Sequence, residues 1–237
     1  MTWSIIATDE RTGRVGIAVT TCAFAVGSRV PYIKSGIGAV ATQATTNQLF
    51  GPRGLALLAA GASAEDCVRL LLQSDAGRAH RQVHVMDRLG RFAASTGAEC
   101  VPWCGHLVDD TFSVAGNMLV GEAVIRQTAS AYNKGVGMPF ARRLIAALKA
   151  GQEAGGDKRG RQSAALLIHD SEDHPALDIR VDDHVDPLAE LTRLEEVARQ
   201  SFVHTRRFGP TRADPAGLFD PAERAKAISQ SIAEGYE

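Results

Sequence analysis

The chain has 237 residues, 45% apolar and 22% charged, with a formal net charge of −1. This length suits one large domain or two small ones, and the near-neutral balance excludes a global electrostatic pull toward nucleic acid or an anionic membrane. No apolar run approaches the ~18 residues of a membrane span and no basic-then-apolar leader opens the sequence, so a cytoplasmic protein is expected.

The first twenty residues read as a strand, a turn and a second strand. Residues 3–8 and 15–21 are β-type, and Thr12-Gly13 between them is a turn signal. A strand beginning at Thr2 has a chemical consequence. Met1 before a small residue is expected to be trimmed. Thr2 would then carry a hydroxyl and a free α-amine on one residue. An α-amine titrates at about 7.7–8.0 and can activate its own residue's hydroxyl as a nucleophile.

Residues 30–43 follow, with Pro31 confining the first part to an edge or a strand start and two glycines in Gly36-Ile-Gly38 allowing close approach. Residues 47–61 read as a helix. Ser63 caps a second helix that ends near Ser74. Residues 81–87 and 91–96 form another hairpin turned at Leu89-Gly90, and residues 111–117 form a further strand. Helices are expected over 121–132 and 139–151, with Pro139 in a first turn and Gly151 past a last one. Residues 163–169 are a buried-type strand, 177–182 an alternating partner, and 187–202 an amphipathic helix. A Gly- and Pro-rich linker over 206–221 leads to a short helix over 221–233. The domain is therefore placed at 2–202, with 203–237 as linker and helical tail.

Paired strands alternating with paired helices do not fit a βαβ parallel sheet. They fit two antiparallel sheets packed face to face and covered by helices, an α/β (α+β) four-layer αββα sandwich. The four cysteines, Cys22, Cys67, Cys100 and Cys104, are expected as free thiols in a reducing compartment. The C-x₃-C-x-H run at Cys100, Cys104 and His106 lacks a second ligand pair, so no metal is expected there.

Specific residues also carry a resemblance. They are Thr2-x-Ser4-Ile-Ile-Ala with Thr12-Gly13-x-Val-Gly-Ile-Ala-Val, Val40-Ala-Thr-Gln-Ala44, Asn47, Gly51-Pro-Arg-Gly54, Gly77-Arg-x-x-Arg-Gln82, Thr96-Gly97, Gly116-Asn117, the run from Gly155 to Ala164, and Val181-Asp-Asp-His184. Together they resemble an uncharacterised bacterial family, domain of unknown function 1028, grouped with Ntn-hydrolase-like folds. The resemblance spans residues 2 to about 200. It implies the αββα fold and hydrolysis of a carbon–nitrogen bond by an N-terminal nucleophile, with Thr2 in that position and no cofactor. Proteasome-like members carry a carboxylate at the end of the second strand and a lysine soon after. Here that strand ends Thr20-Thr21-Cys22, and only Arg29 and Lys34 fall near the later position.

The candidate catalytic residues are Thr2, Asn47, Asn117, Asp157 and Ser163. The amides of Asn47 and Asn117 can donate to an oxyanion. Asp157 can pair with Arg161 or an α-ammonium group, and Ser163 can hydrogen-bond the amine. The candidate substrate-binding residues are Thr21, Gln43, Arg78, Arg81 and Arg161, with an arginine as the clamp for a substrate carboxylate. Ser4 shares the face of Thr2. Cys22 is an alternative nucleophile only with a lowered pKa. His184, among Asp182, Asp183 and Asp186, is favoured protonated and reads as structural or as part of a subunit contact. The expected partners are a small-molecule substrate and, by analogy, a second copy of the chain, with no nucleic acid or membrane. The alternative function is a non-catalytic small-molecule-binding protein on the same fold.

Overall fold

A computed structural model of the chain describes residues 2–235. Among the described residues, ten strands and seven α-helices alternate in blocks. Strands β1 (Thr2–Thr8) and β2 (Val15–Thr21) form the opening hairpin, and β3 (Pro31–Lys34) and β4 (Gly38–Ala44) follow. Helices α1 (Phe50–Ala59) and α2 (Ala64–Gln73) come next, then β5 (Arg81–Asp87), β6 (Phe92–Thr96), β7 (Gly105–Val108) and β8 (Phe112–Asn117). After α3 (Ala123–Lys134) and α4 (Phe140–Glu153) come β9 (Ser163–His169) and β10 (Leu177–Val181), then α5 (Pro187–Val197), α6 (Val203–Arg207) and α7 (Pro221–Glu234).

The strands form two antiparallel sheets. One has six strands in the order β10-β9-β2-β1-β8-β7, and the other has four in the order β3-β4-β5-β6. β1 is central, paired with β2 on one side (Trp3 opposite Thr20) and with β8 on the other (Thr2 opposite Asn117).

Side-chain alternation then decides the layers. Trp3, Ile5 and Ala7 of β1 join α3, α4 and α5 in the outer core of the large sheet. Ile6 of β1 faces the other way, into an inner core shared with Ile17, Val19, Ala39, Ala41, Met86 and Ala165. On the opposite outer face, Val40, Val83 and Val85 pack against Phe50, Leu58, Cys67 and Leu71 of α1 and α2. The layers are helices, sheet, sheet, helices, the expected αββα sandwich.

Two differences from the sequence reading have local causes. β7 was not expected. It is a four-residue, half-exposed edge strand whose polar alternation is too short to stand out. The helix expected to end at Phe202 instead continues to Arg207 through a π turn at Ala198–Phe202. The tail helix α7 folds back on this extension. His204 Nδ1 and Ser231 Oγ meet at 2.9 Å, both buried. No helix among the described residues is long and apolar enough to cross a membrane.

Candidate active site around Thr2

Thr2 opens the central strand of the large sheet and is 8% exposed. Its side chain points between the sheets, as do Ser4 and Ile6 two and four residues on. Thr2 Oγ1 donates to Thr21 Oγ1 at 3.2 Å across the hairpin. The main-chain carbonyl of Thr2 accepts from Asn117 Nδ2 at 3.3 Å and from Gln43 Nε2 at 3.5 Å. Thr2, Thr21, Gln43 and Asn117 thus meet at one end of the sandwich.

Behind them lies a continuous buried network. Gln82 Oε1 accepts from Gln43 Nε2 at 2.8 Å and from Asn117 Nδ2 at 3.0 Å. Gln82 Nε2 donates to Gly116 O, Gly105 O and Thr96 Oγ1 at 2.8–3.0 Å, which ties the edge strands of the two sheets together. Ser4 Oγ donates to Gln43 Oε1 at 2.8 Å and lies 2.8 Å from His84 Nε2, whose Nδ1 is 2.8 Å from Ser113 Oγ. Ser4, Gln43, Gln82, His84 and Ser113 are all 0% exposed. Desolvation, helped by the nearby His106, pushes the His84 imidazole down to about 3, so the ring is neutral and links two serine hydroxyls.

Backbone strain marks the same end. Ala44 and Met118, the residues after Gln43 and Asn117, have φ of 70° and 54°. This left-handed region is unfavourable for a residue with a Cβ. Such strain persists only where the surroundings hold it, and it clusters at functional sites.

The loop entering β9 closes the end of the hairpin. The buried Asp157 carboxylate accepts from the Cys22 amide at 2.9 Å and from the Arg159 amide at 2.8 Å. Its ion pair is with Arg159 at 3.3 Å, not with Arg161. A carboxylate therefore stands at the end of β2 although the strand itself supplies none. Ser163 Oγ donates to Ala23 O at 2.5 Å and accepts from Val26 N at 3.1 Å, so it pins the segment after β2.

The remaining candidates lie elsewhere. Asn47 Nδ2 donates to Asp75 Oδ2 at 2.8 Å, and Arg81 Nε reaches the same oxygen at 2.8 Å. These two donors hold the Asp75 carboxyl below its ordinary range. Arg81 is thus committed to Asp75 and Thr45 O rather than to a clamp with the exposed Arg78. Arg161 pairs with Asp186 at 2.9 Å on a surface cleft shared with Cys22, Gln162 and His184. His184 Nδ1 accepts from the Asp186 amide at 3.0 Å. Near Cys100 and Cys104, His106 Nδ1 meets Thr96 Oγ1 at 2.9 Å. No three His, Cys, Asp or Glu side chains among the described residues group as metal ligands. Met1, whose removal the sequence predicts, lies outside the described residues.

Gln82, His84, Ser113 and Thr96 were not among the site candidates, although Gln82 and Thr96 lie in the motifs that carry the resemblance. The available signal was polar residues repeating every second position, Gln82 and His84 inside Arg-Gln-Val-His-Val-Met. Period-two polarity has the same local pattern whether the face meets water or, as here, a second sheet.

Comparison with known proteins places the chain. No curated protein matches it. The crystal structure of protein SPO2555 from Silicibacter pomeroyi, a DUF1028 protein, is 33% identical with a TM-score of 0.85, covering 92% of this chain and 99% of that one. Anbu (ancestral β-subunit) from Yersinia bercovieri is 10% identical with a TM-score of 0.42, covering 83% of this chain and 94% of that one, a likeness too slight to carry an argument. The model of the Family of unknown function (DUF1028) matches residues 2–191. With that match over most of its length and a family structure at 33% identity, the chain belongs to the DUF1028 family.

Proposed function

We propose that the protein hydrolyses a carbon–nitrogen bond in a small polar amide or lactam, with Thr2 as nucleophile after removal of Met1. The observation that carries this reading is the Thr2 side chain. Its hydroxyl opens the central strand, faces the space between the sheets and meets Thr21 Oγ1 at 3.2 Å, while two side-chain amides fix its main chain. In the reaction, Thr2 Oγ1 attacks the amide carbonyl and its proton passes to the Thr2 α-amine. The tetrahedral intermediate collapses, the C–N bond breaks, and the ammonium group protonates the departing nitrogen. Water, deprotonated by the amine, then attacks the Thr2 ester. The acid leaves and the hydroxyl is restored.

Thr21 would orient the hydroxyl, and Asp157 would supply the negative charge at the end of β2 that favours the ammonium form between steps. Asn117 directs its amide at Thr2 O and Gln82 Oε1, and Asn47 directs its own at Asp75. Asn117 is therefore assigned a positioning role rather than oxyanion donation, and Asn47 a structural one at Asp75.

The test is intact-protein mass spectrometry before and after treatment with a small β-lactone, which acylates an N-terminal threonine. The expected result is a chain lacking Met1 that gains one acyl group mapping to Thr2, with no gain in Thr2→Ala. Retained Met1, or an unmodified Thr2, would overturn the reading. The competing reading is a binding protein without turnover. It draws on one observation, that Gln43 and Asn117 spend their N–H groups on the protein's own oxygens. It predicts ligand-raised melting temperatures with no adduct.

A further inference from the structure

At the opposite end of the β1–β2 hairpin from Thr2 lies a cavity of about 220 Å³. At ~3.3 Å per residue, the length of β1 separates the two places by about 20 Å. The cavity floor is apolar: Phe140 of α4, Ile168 of β9, Leu177 of β10, Ala198 of the π turn and Val203 of α6. An apolar cavity of roughly 150 Å³ already accepts a benzene-sized molecule, so this floor can take a short hydrocarbon chain or a ring.

The rim is cationic. Arg11 and Arg14 come from the hairpin turn, Arg199 from the π turn and Arg206 from α6. Two carboxylates, Asp9 and Glu195, also line the cavity, and both are engaged. Asp9 accepts the Thr12 hydroxyl at 2.6 Å and the Arg11 amide at 3.2 Å. Glu195 accepts from Arg142 Nε at 3.0 Å. Arg199 forms an ion pair with Glu195 at 3.9 Å and Arg11 one with Asp9 at 3.8 Å, both too long for a direct hydrogen bond. Arg206 is fixed at the rim by Asp170 at 2.8 Å. With Arg206 paired to Asp170, Arg11 and Arg199 are the rim guanidiniums whose carboxylate neighbours, Asp9 and Glu195, already have closer donors.

The π turn matters to this arrangement. It is the segment that delivers Ala198 to the floor and Arg199 to the rim, and single π turns within helices recur at functional sites. A largely apolar cavity with a few convergent polar groups is the usual form of a small-ligand site.

We propose that this cavity is a second ligand site, separate from Thr2, for an amphipathic anion. Its carboxylate would lie against Arg199 and Arg11, and its aliphatic or aromatic chain on the floor between Phe140 and Leu177. Guanidinium suits this task because its planar donors match a carboxylate and it desolvates more readily than an ammonium.

Calorimetric titration of the full chain with octanoate, and with octanamide as the neutral control of the same shape, tests it. Octanoate is expected to bind at least tenfold more tightly than octanamide. Arg199→Gln is expected to weaken octanoate at least fivefold and leave octanamide unchanged. Ala141→Leu, which fills the cavity from α4, is expected to abolish both. Thermal unfolding without ligand checks that each variant folds, and Arg11→Gln, on an exposed side chain, serves as the second rim variant. Thr2→Ala is expected to bind octanoate like the parent, so failure of the nucleophile reading leaves this result standing. No octanoate binding, equal binding of acid and amide, or octanoate affinity indifferent to Arg199→Gln, Arg11→Gln and Ala141→Leu would each overturn the proposal.

Discussion

Gln82 shows how much of the site rests on one side chain. Its oxygen accepts from both amides that hold the Thr2 carbonyl, and its nitrogen donates to Gly105 O, Gly116 O and Thr96. It is 0% exposed, so every partner it abandons stays out of reach of water. Truncation removes little apolar contact but orphans several buried polar groups, each worth about 1–3 kcal/mol. Gln82→Ala is therefore expected to cost at least ~3 kcal/mol, seen as a lower urea midpoint at an unchanged slope. A loss under 1 kcal/mol would show that water replaces the amide and that the network is not closed. Thr2 and Thr21 were legible in the sequence because the hairpin register sets them side by side; Asn117 was singled out for its amide, and only the pairing of β1 with β8 sets it opposite Thr2. Gln82 and His84 were not. A polar residue facing a second sheet has the same local pattern as one facing solvent, and only the packing of β5 under β1 and β8 separates the two. Asp75 was hidden for another reason. Its partners Asn47 and Arg81 come from two other segments, and no spacing rule links them.

At the scale of elements, glycines reveal which surfaces come close. The hairpins and most helices could be read from periodicity and caps. Ser63 accepts from Asp66 N and opens α2 as its position in the sequence suggests. The contact between β2 and α4 was not readable, because nothing local says that Gly16 faces a helix. A Cβ at Gly16 would stand 2.6 Å from Leu144 Cδ1 and 2.9 Å from Phe140 Cε1, and both side chains are buried. Two effects of Gly16→Ala oppose each other. Removing a glycine from a strand interior favours folding by roughly 0.5–1 kcal/mol. Forcing a methyl into a packed interface costs typically 1–3 kcal/mol. Overpacking wins, and a net loss of about 1 kcal/mol or more is expected, measured as a lower thermal midpoint. A stabilised variant would mean that α4 slides outward at no cost. β7 and the π turn escaped the sequence reading for related reasons. The strand is too short for alternation to register, and a π turn carries no residue signature of its own.

Across the whole molecule, the space between the sheets is divided. One end is filled by Ile6, Ile17, Val19 and their neighbours, and the other by hydroxyls, amides and an imidazole. The apolar end supplies non-directional cohesion, while the polar end fixes the relative position of the sheets through bonds that tolerate little displacement. This division exposes stability to acid. His84 is fully buried, and its pKa is lowered from 6.5 to about 3, by desolvation first and His106 second. Burial also lowers His106 and His169. A histidine depressed in the folded state binds fewer protons folded than unfolded between the two pKa values. Its contribution is therefore complete above the unfolded value near 6.5 and is lost as pH falls toward the folded value. For His84 alone, going from pH 7 to pH 5 spans about 1.5 units of that window, or about 2 kcal/mol at 1.36 kcal/mol per unit. Carboxylates contribute little there, since their own window lies lower; Asp75, held down by Arg81 and Asn47, releases its contribution only below its ordinary value of 3.8. Unfolding free energy is thus expected to fall between pH 7 and pH 5, before carboxylate titration begins. His84→Gln keeps a group able to bond Ser4 or Ser113 but cannot titrate, so it should be less stable at pH 7 and markedly flatter across that interval. Urea titrations of parent and variant at pH 7, 6 and 5 give both slopes. Parallel slopes would place the acid sensitivity in His106 and His169 instead, and would mean that the imidazole between the two sheets opens to water without unfolding the chain.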